Sequence, residues 1–363
     1  MAAGPVFTEL RKLTAAAELI LSTTTTAGNY IAQKSIPEAD DVIYFPMDIA
    51  PAVARALDTV RPDVFASVET EIWPNFLYHC RKRGIPAAII NGCISDRTYR
   101  WGKRIGWLYR WALSGVDKLC MQSEEDAARV VDLGARPERV EVVGNCKFDE
   151  LSTGLSDDER RRIGDYLGVR NGSPTFVAGS ANPGEEEQLL QAFRYLRERH
   201  KDLKLIIAPR QLDRVASIES IVSSYGFSCG RRSEHDKLTG KEDVVILDTM
   251  GELASVYGVA TVAFVGGSLI PKGGHNILQP IAHGRPVVFG PYTHKTRDLV
   301  RIATEAGVGF QVADAADLGR TVDALLGDPG KLKEISDKAR SLMDRNRGAA
   351  RRCAEALATL CPS

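Results

Sequence analysis

Residues 244–291 read VVILDTMGELASVYGVATVAFVGGSLIPKGGHNILQPIAHGRPVVFGP. Short β-branched runs end in glycine loops, and each loop leads into a helix-like pattern, the alternation of a parallel α/β sheet. The run 260–265 predicts a buried strand, closed by Gly266, Gly267 and Ser268 in a turn that lets a ligand approach the backbone. Beyond Gly273 and Gly274, Asn276 is placed to cap a helix over 277–283, so that several free N–H groups converge on one spot suited to a phosphate. Gly284, Arg285 and Pro286 stop that helix, and 287–289 supply the next strand. Working outward, Pro209 and Arg210 follow a strand at 203–207, and Met250, Gly251 and Glu252 follow one at 244–247. Glycine-rich strand ends also occur in domains that bind nothing. Three such ends carrying an Arg, an acid and a helix N-terminus favour a nucleotide mono- or diphosphate at the carboxyl edge of the sheet.

The chain has 363 residues, enough for two domains with separate cores. Lys plus Arg and Asp plus Glu both number 47, so no basic field argues for nucleic acid. Apolar residues make up 44%, ordinary for a globular protein, and no apolar run reaches membrane-spanning length. Residues 1–13 lack the pattern of a signal peptide. The cysteines at 80, 93, 120, 146, 229, 353 and 361 contain no C-x-x-C pair, which reads as reduced thiols, and the histidines lack metal spacing. No protein-held metal or other cofactor is expected.

Residues 1–150 form one α/β half, with strands expected at 19–22, 42–45, 64–67, 87–90, 118–121 and 140–143. The boundary lies in 151–174, where a charged helix at 156–167 sits between Gly-rich turns. The second half opens with a strand at 175–178 and a long helix at 184–200, whose three leading Glu residues complement the helix dipole. The tail, 331–360, is helical and charged, placed to pack back across the domain junction.

Two groups in the first half have chemical interest. Glu69 and Glu71 follow a strand beside Trp73 and Pro74, where a carboxylate is placed to take a proton or hold a sugar hydroxyl; capping a surface helix is the alternative. Lys147 ends the first half, where a cation offsets charge on a leaving phosphate, although most lone lysines are only solvated. The basic, aromatic stretch 97–111, with Tyr99, Trp101, Trp107 and Tyr109, suits either a membrane-surface helix or a core helix with a charged outer face.

The stretches SVETEIWPN (67–75), SEEDAARVVDLGA (123–135), GNCKFD (144–149), GSANPGEE (179–186), APR (208–210), MGEL (250–253), FVGGSL (264–269), GGHNILQP (273–280) and FGP (289–291) occur in this order. Together they make a chain that resembles, over essentially its whole length, the 3-deoxy-D-manno-octulosonic acid (Kdo) transferases of lipopolysaccharide assembly. The resemblance implies an α/β fold of GT-B type, two Rossmann-like domains facing each other across a cleft. Residues 1–150 would bind the acceptor, 151–345 the CMP-sugar donor, and 346–363 would form a helix crossing back. The implied reaction moves Kdo from CMP-Kdo to a hydroxyl of a lipid A precursor at the cytoplasmic face of the inner membrane.

By the same likeness, CMP is held by Pro209 and Arg210, by Met250, Gly251 and Glu252, and by Asn276, Ile277, Leu278 and Gln279. Glu69 and Lys147 stabilise the transition state. Gln279 stands where the family has Glu, Gln211 where it commonly has His, and Cys93 where it commonly has Arg. The family's general base is a Glu in an SVGE-type motif just upstream of a stretch like Ala2–Pro5, preceded by a hydrophobic anchor. Neither is in this sequence, so the chain as written is expected to be a poor catalyst and an N-terminally extended form an active one. Two other readings stay open: a GT-B enzyme using a UDP-sugar, and a non-catalytic nucleotide- or lipid-binding relative.

Overall fold

A computed structural model describes residues 3–151, 154–169 and 173–361. Ala2 of the small-residue stretch, and positions 152–153 and 170–172 in the boundary segment, lie outside the described residues. Two compact units are present, Met1–Glu150 with Arg345–Ser363, and Leu151–Asp344.

In the first unit β1 (Ile20–Thr23) pairs with β2 (Asp41–Tyr44). A separate parallel sheet runs in order β3 (Phe65–Val68), β4 (Ala87–Gly92), β5 (Lys118–Met121), β6 (Val140–Val142). All six residues of β4 are buried, as expected of a strand covered on both faces. Side chains alternate: Ala88, Ile90 and Cys120 join one core cluster, whereas Ala87, Ile89, Leu119 and Met121 join the other. The first cluster includes Val6 of helix Ala3–Leu13 and the small residues Ala349, Ala350, Cys353 and Ala354 of helix Ala349–Ala358. The Sγ atoms of Cys146 and Cys353 lie 3.8 Å apart in this cluster, and all seven cysteines are free thiols. Asp149 fixes the last helix through the N–H groups of Gly348 (2.6 Å) and Ala350 (2.7 Å), a cap worth about 1 kcal/mol.

The second unit holds a seven-stranded, wholly parallel sheet. Its strands are β7 (Thr175–Ala181), β8 (Lys204–Pro209), β9 (Cys229–Arg231), β10 (Val244–Ile246), β11 (Val262–Val265), β12 (Val287–Phe289) and β13 (Gly309–Gln311). The spatial order is β13-β12-β11-β7-β8-β10-β9. From β7 the chain builds outward through β8, then crosses back to lay β11, β12 and β13 on the other side, so the order reverses between β7 and β11. Ligands of open α/β sheets collect outside the carboxyl ends of the strands at such a reversal.

Two sequence expectations are corrected here. The stretch 97–111 is not one helix: Asp96–Arg104 and Gly106–Leu113 are separate, broken at Ile105. The helix expected over 277–283 is only Leu278–Ala282, one short turn with Ile277 at its cap, because Pro280 and the Gly284 turn leave little length. The helix expected over 184–200 is Glu186–Arg199, with Glu186 and Glu187 in its first turn and Glu185 just before it, where Glu185 is 0% and Glu186 1% exposed.

Candidate functional site

At the carboxyl edge of the β3–β6 sheet, Glu69 directly follows β3 and adopts φ +62, an uncommon backbone for a residue with a side chain. Its N–H donates to the Ile90 carbonyl at 3.0 Å, which anchors the turn to β4. Lys147 lies in the 3-10 turn Cys146–Phe148 beyond β6, and its Nζ is 2.7 Å from Glu69 Oε1. Both side chains are 37% exposed, so this ion pair keeps solvent access and is not a buried structural bridge. Glu71 is held above the ordinary carboxylate range, first by desolvation and second by the negative charge of Glu69.

Amides pin the Lys147 turn from below. Asn145 Oδ1 accepts from Lys147 N (3.0 Å), Asn145 Nδ2 donates to Gln122 Oε1 (2.8 Å), and Gln122 Nε2 donates to the Asn91 carbonyl (2.9 Å). Asn91, fully buried with φ +49, accepts from Cys146 N at 2.9 Å through Oδ1. Asn346 Oδ1 accepts from Asn145 N at 3.1 Å. Asn91, Gln122 and Asn346 went unrecognised in the sequence; only the polar residues ending strand runs at 91 and 122 hinted at them.

In the second unit the strand ends carry the other candidates. Pro209 closes β8, and exposed Arg210 is tied by its N–H to the Ala181 carbonyl at 2.8 Å. Met250 is 84% exposed beside Gly251 at φ +85. Glu252 is already engaged: Thr249 Oγ1 donates to its Oε2, and Arg232 Nη2 lies 2.9 Å from Oε1. Asn276 is exposed, and its Oδ1 accepts from Leu278 N at 2.9 Å. Ile277 and Leu278 are 1% and 0% exposed, so their side chains belong to the core. Gln279 is half-buried at the start of the short helix.

The loop after β11 differs from its sequence reading. Its N–H groups do not await a ligand, because the buried carboxylate of Glu185 takes them: Gly267 N at 2.7 Å, Ser268 N at 3.0 Å and Leu269 N at 2.9 Å, with Asn182 N at 2.9 Å as a fourth. A side-chain anion thus occupies the turn at which the sequence reading let a ligand approach the backbone. Gly266 is required by close packing, since a Cβ there would meet the Ser180 carbonyl at 2.3 Å. Among the described residues no group of three or more His, Cys, Asp or Glu is arranged to hold a metal ion.

Both units are parallel α/β sheets with candidate residues at strand carboxyl ends, and the fold class is α/β of GT-B type. A solved UDP-GlcNAc 2-epimerase from Neisseria meningitidis, bound to UDP-GlcNAc, matches with a TM-score of 0.64 at 13% identity over 98% of this chain and 95% of that one. The family description 3-deoxy-D-manno-octulosonic-acid transferase (kdotransferase) matches residues 1–150. The chain is 30% identical over 361 residues to the 3-deoxy-D-manno-octulosonic acid transferase of Haemophilus influenzae, covering 98% of this chain and 83% of that protein. It is 33% identical over 333 residues to a bifunctional glycosyltransferase/methyltransferase of Fusobacterium nucleatum, covering 91% of this chain but only about half, 51%, of that relative. The chain belongs to the 3-deoxy-D-manno-octulosonic acid transferase family of glycosyltransferases.

Proposed function

We propose that this chain transfers Kdo from CMP-Kdo to a hydroxyl of a lipid A precursor in lipopolysaccharide synthesis. The observation that carries this is the position of Arg210 and its neighbouring loops at the carboxyl edge of a parallel sheet, in a chain of this family. The bond between the sugar's anomeric carbon and the phosphate oxygen breaks, CMP departs with the electron pair, and the acceptor oxygen bonds that carbon as its proton leaves to a base. Negative charge grows on the departing phosphate, so cations fixed in advance lower the barrier. Arg210 is the candidate for the donor phosphate, Glu252 for a ribose hydroxyl through its remaining lone pairs, and Pro209, Met250, Gly251, Asn276, Ile277, Leu278 and Gln279 for the surrounding nucleotide contacts. Ile277 and Leu278 would contribute backbone only.

Lys147 and Glu69 act as a pair in this reading: the carboxylate orients the ammonium, and the ammonium meets charge that develops in transfer. Lys147→Ala and Glu69→Gln should each lower the transfer rate about 10²-fold, with a far smaller change in CMP affinity. Transfer at the parental rate in both variants would remove the pair from the mechanism.

The lipid acceptor implies work at a membrane surface. No described helix is long and apolar enough to cross one. Helix Gly106–Leu113 instead presents Trp107 (73% exposed) and Trp111 with Arg110 around a shallow hollow of about 350 Å³, and Tyr78 stacks on Trp111 at 5.4 Å. Such aromatic and guanidinium groups suit the headgroup region of an anionic bilayer, and this face is the proposed contact with the cytoplasmic side of the inner membrane.

A further inference from the structure

The motif at 179–186 has no part in the contacts assigned above, yet its side chains reach the donor loops. Asn182, 8% exposed, sits at the end of β7 and receives the Glu185 carboxylate on its backbone N–H. Its Nδ2 donates to the Ser180 carbonyl at 2.9 Å and lies 3.0 Å from His275 Nε2. A carbonyl can only accept, so the amide must present its NH₂ to that side. The second N–H then points at the imidazole, and His275 Nε2 must be the unprotonated acceptor. The ring hydrogen therefore resides on Nδ1.

The ring is held on its other sides too. His275 N donates to the Gly266 carbonyl at 3.2 Å. Gly267, at φ +70, lies beneath it, where a Cβ would stand 3.0 Å from both Cδ2 and Nε2. The charged groups facing the ring are Arg210 and Lys295, both positive, and Glu185, negative. Burial first, then the Arg210 charge, hold the imidazole below its ordinary value, so it is neutral near neutral pH. A neutral imidazole of fixed tautomer beside Arg210 offers one directed N–H without adding a third cation.

We propose that His275, locked as the Nδ1–H tautomer by Asn182, is a donor-site residue that gives this N–H to a phosphate oxygen of the nucleotide, with Asn182 as its positioning residue. This rests on the reading that the second unit binds a CMP-sugar. Hydrogen bonds to a charged oxygen are strong enough that losing one weakens binding about tenfold.

The test is the ring ¹H–¹⁵N spectrum of the ¹⁵N-labelled chain with and without CMP, alongside CMP titrations of the parent, His275→Ala, Asn182→Asp and Arg210→Ala. The parent should show Nδ1 protonated and Nε2 bare, with both signals moving on CMP addition. His275→Ala should bind CMP about tenfold more weakly, and parental affinity should stay flat as pH rises from neutrality to about 8. Asn182→Asp, which accepts where Asn182 donates, should invert the tautomer. An Nε2–H tautomer in the parent overturns the proposal. So does CMP binding that needs Arg210 but leaves the His275 signals and the His275→Ala affinity unchanged, and in that case the nucleotide assignment itself survives. Absence of CMP binding in the parent overturns both.

Discussion

Glu185 carries no exposed surface, yet four backbone N–H groups from two loops converge on its two oxygens. Removing the carboxylate orphans those donors in a dry site, at roughly 1–3 kcal/mol for each group left unpaired. Glu185→Ala should therefore cost at least about 3 kcal/mol in denaturant unfolding, and Glu185→Gln, which retains one acceptor oxygen, clearly less. Equal and small losses for both would show that water replaces the carboxylate freely. None of this was legible in the sequence, where an acid at a helix start reads as a dipole partner. The structural role depends on β7 and β11 lying side by side, a relation between residues more than 80 positions apart. Glu69 and Lys147 could be singled out one at a time from their strand ends, but their 2.7 Å approach follows from the order of the β3–β6 sheet, which local pattern does not contain.

At the scale of elements, buried parallel strands were the legible part, because each is a short apolar run closed by a turn residue. β5 lies where the run at 118–121 predicts it, whereas β9 (CGR) and β13 (GFQ) carry no β-branched residue and escaped notice. The break at Ile105 escaped for a different reason. Nothing in 97–111 is a proline, and Gly106 alone does not force a new helix axis. That break matters because it gives Trp107, Arg110 and Trp111 a short helix of their own. If this helix meets the membrane surface, pelleting with vesicles containing anionic lipid should fall about tenfold in Trp107→Ala/Trp111→Ala and weaken with added salt. Unchanged pelleting of the double variant would assign the contact elsewhere.

For the whole molecule, both units are built on parallel sheets with candidate residues at strand carboxyl ends, and the repeated strand, loop and helix pattern was readable in the sequence. Motif order then pointed to the family in which the chain's relatives place it. The proposed cytidine nucleotide in the second unit is the point most open to test, because the shared fold also serves a protein solved with UDP-GlcNAc. Calorimetric titration of the purified chain with CMP and, in parallel, UDP addresses that point most directly. The proposed CMP site requires that CMP bind, that UDP bind more weakly, and that Arg210→Ala lose CMP binding by tenfold or more. Preference for UDP, or CMP binding indifferent to Arg210, would contradict it.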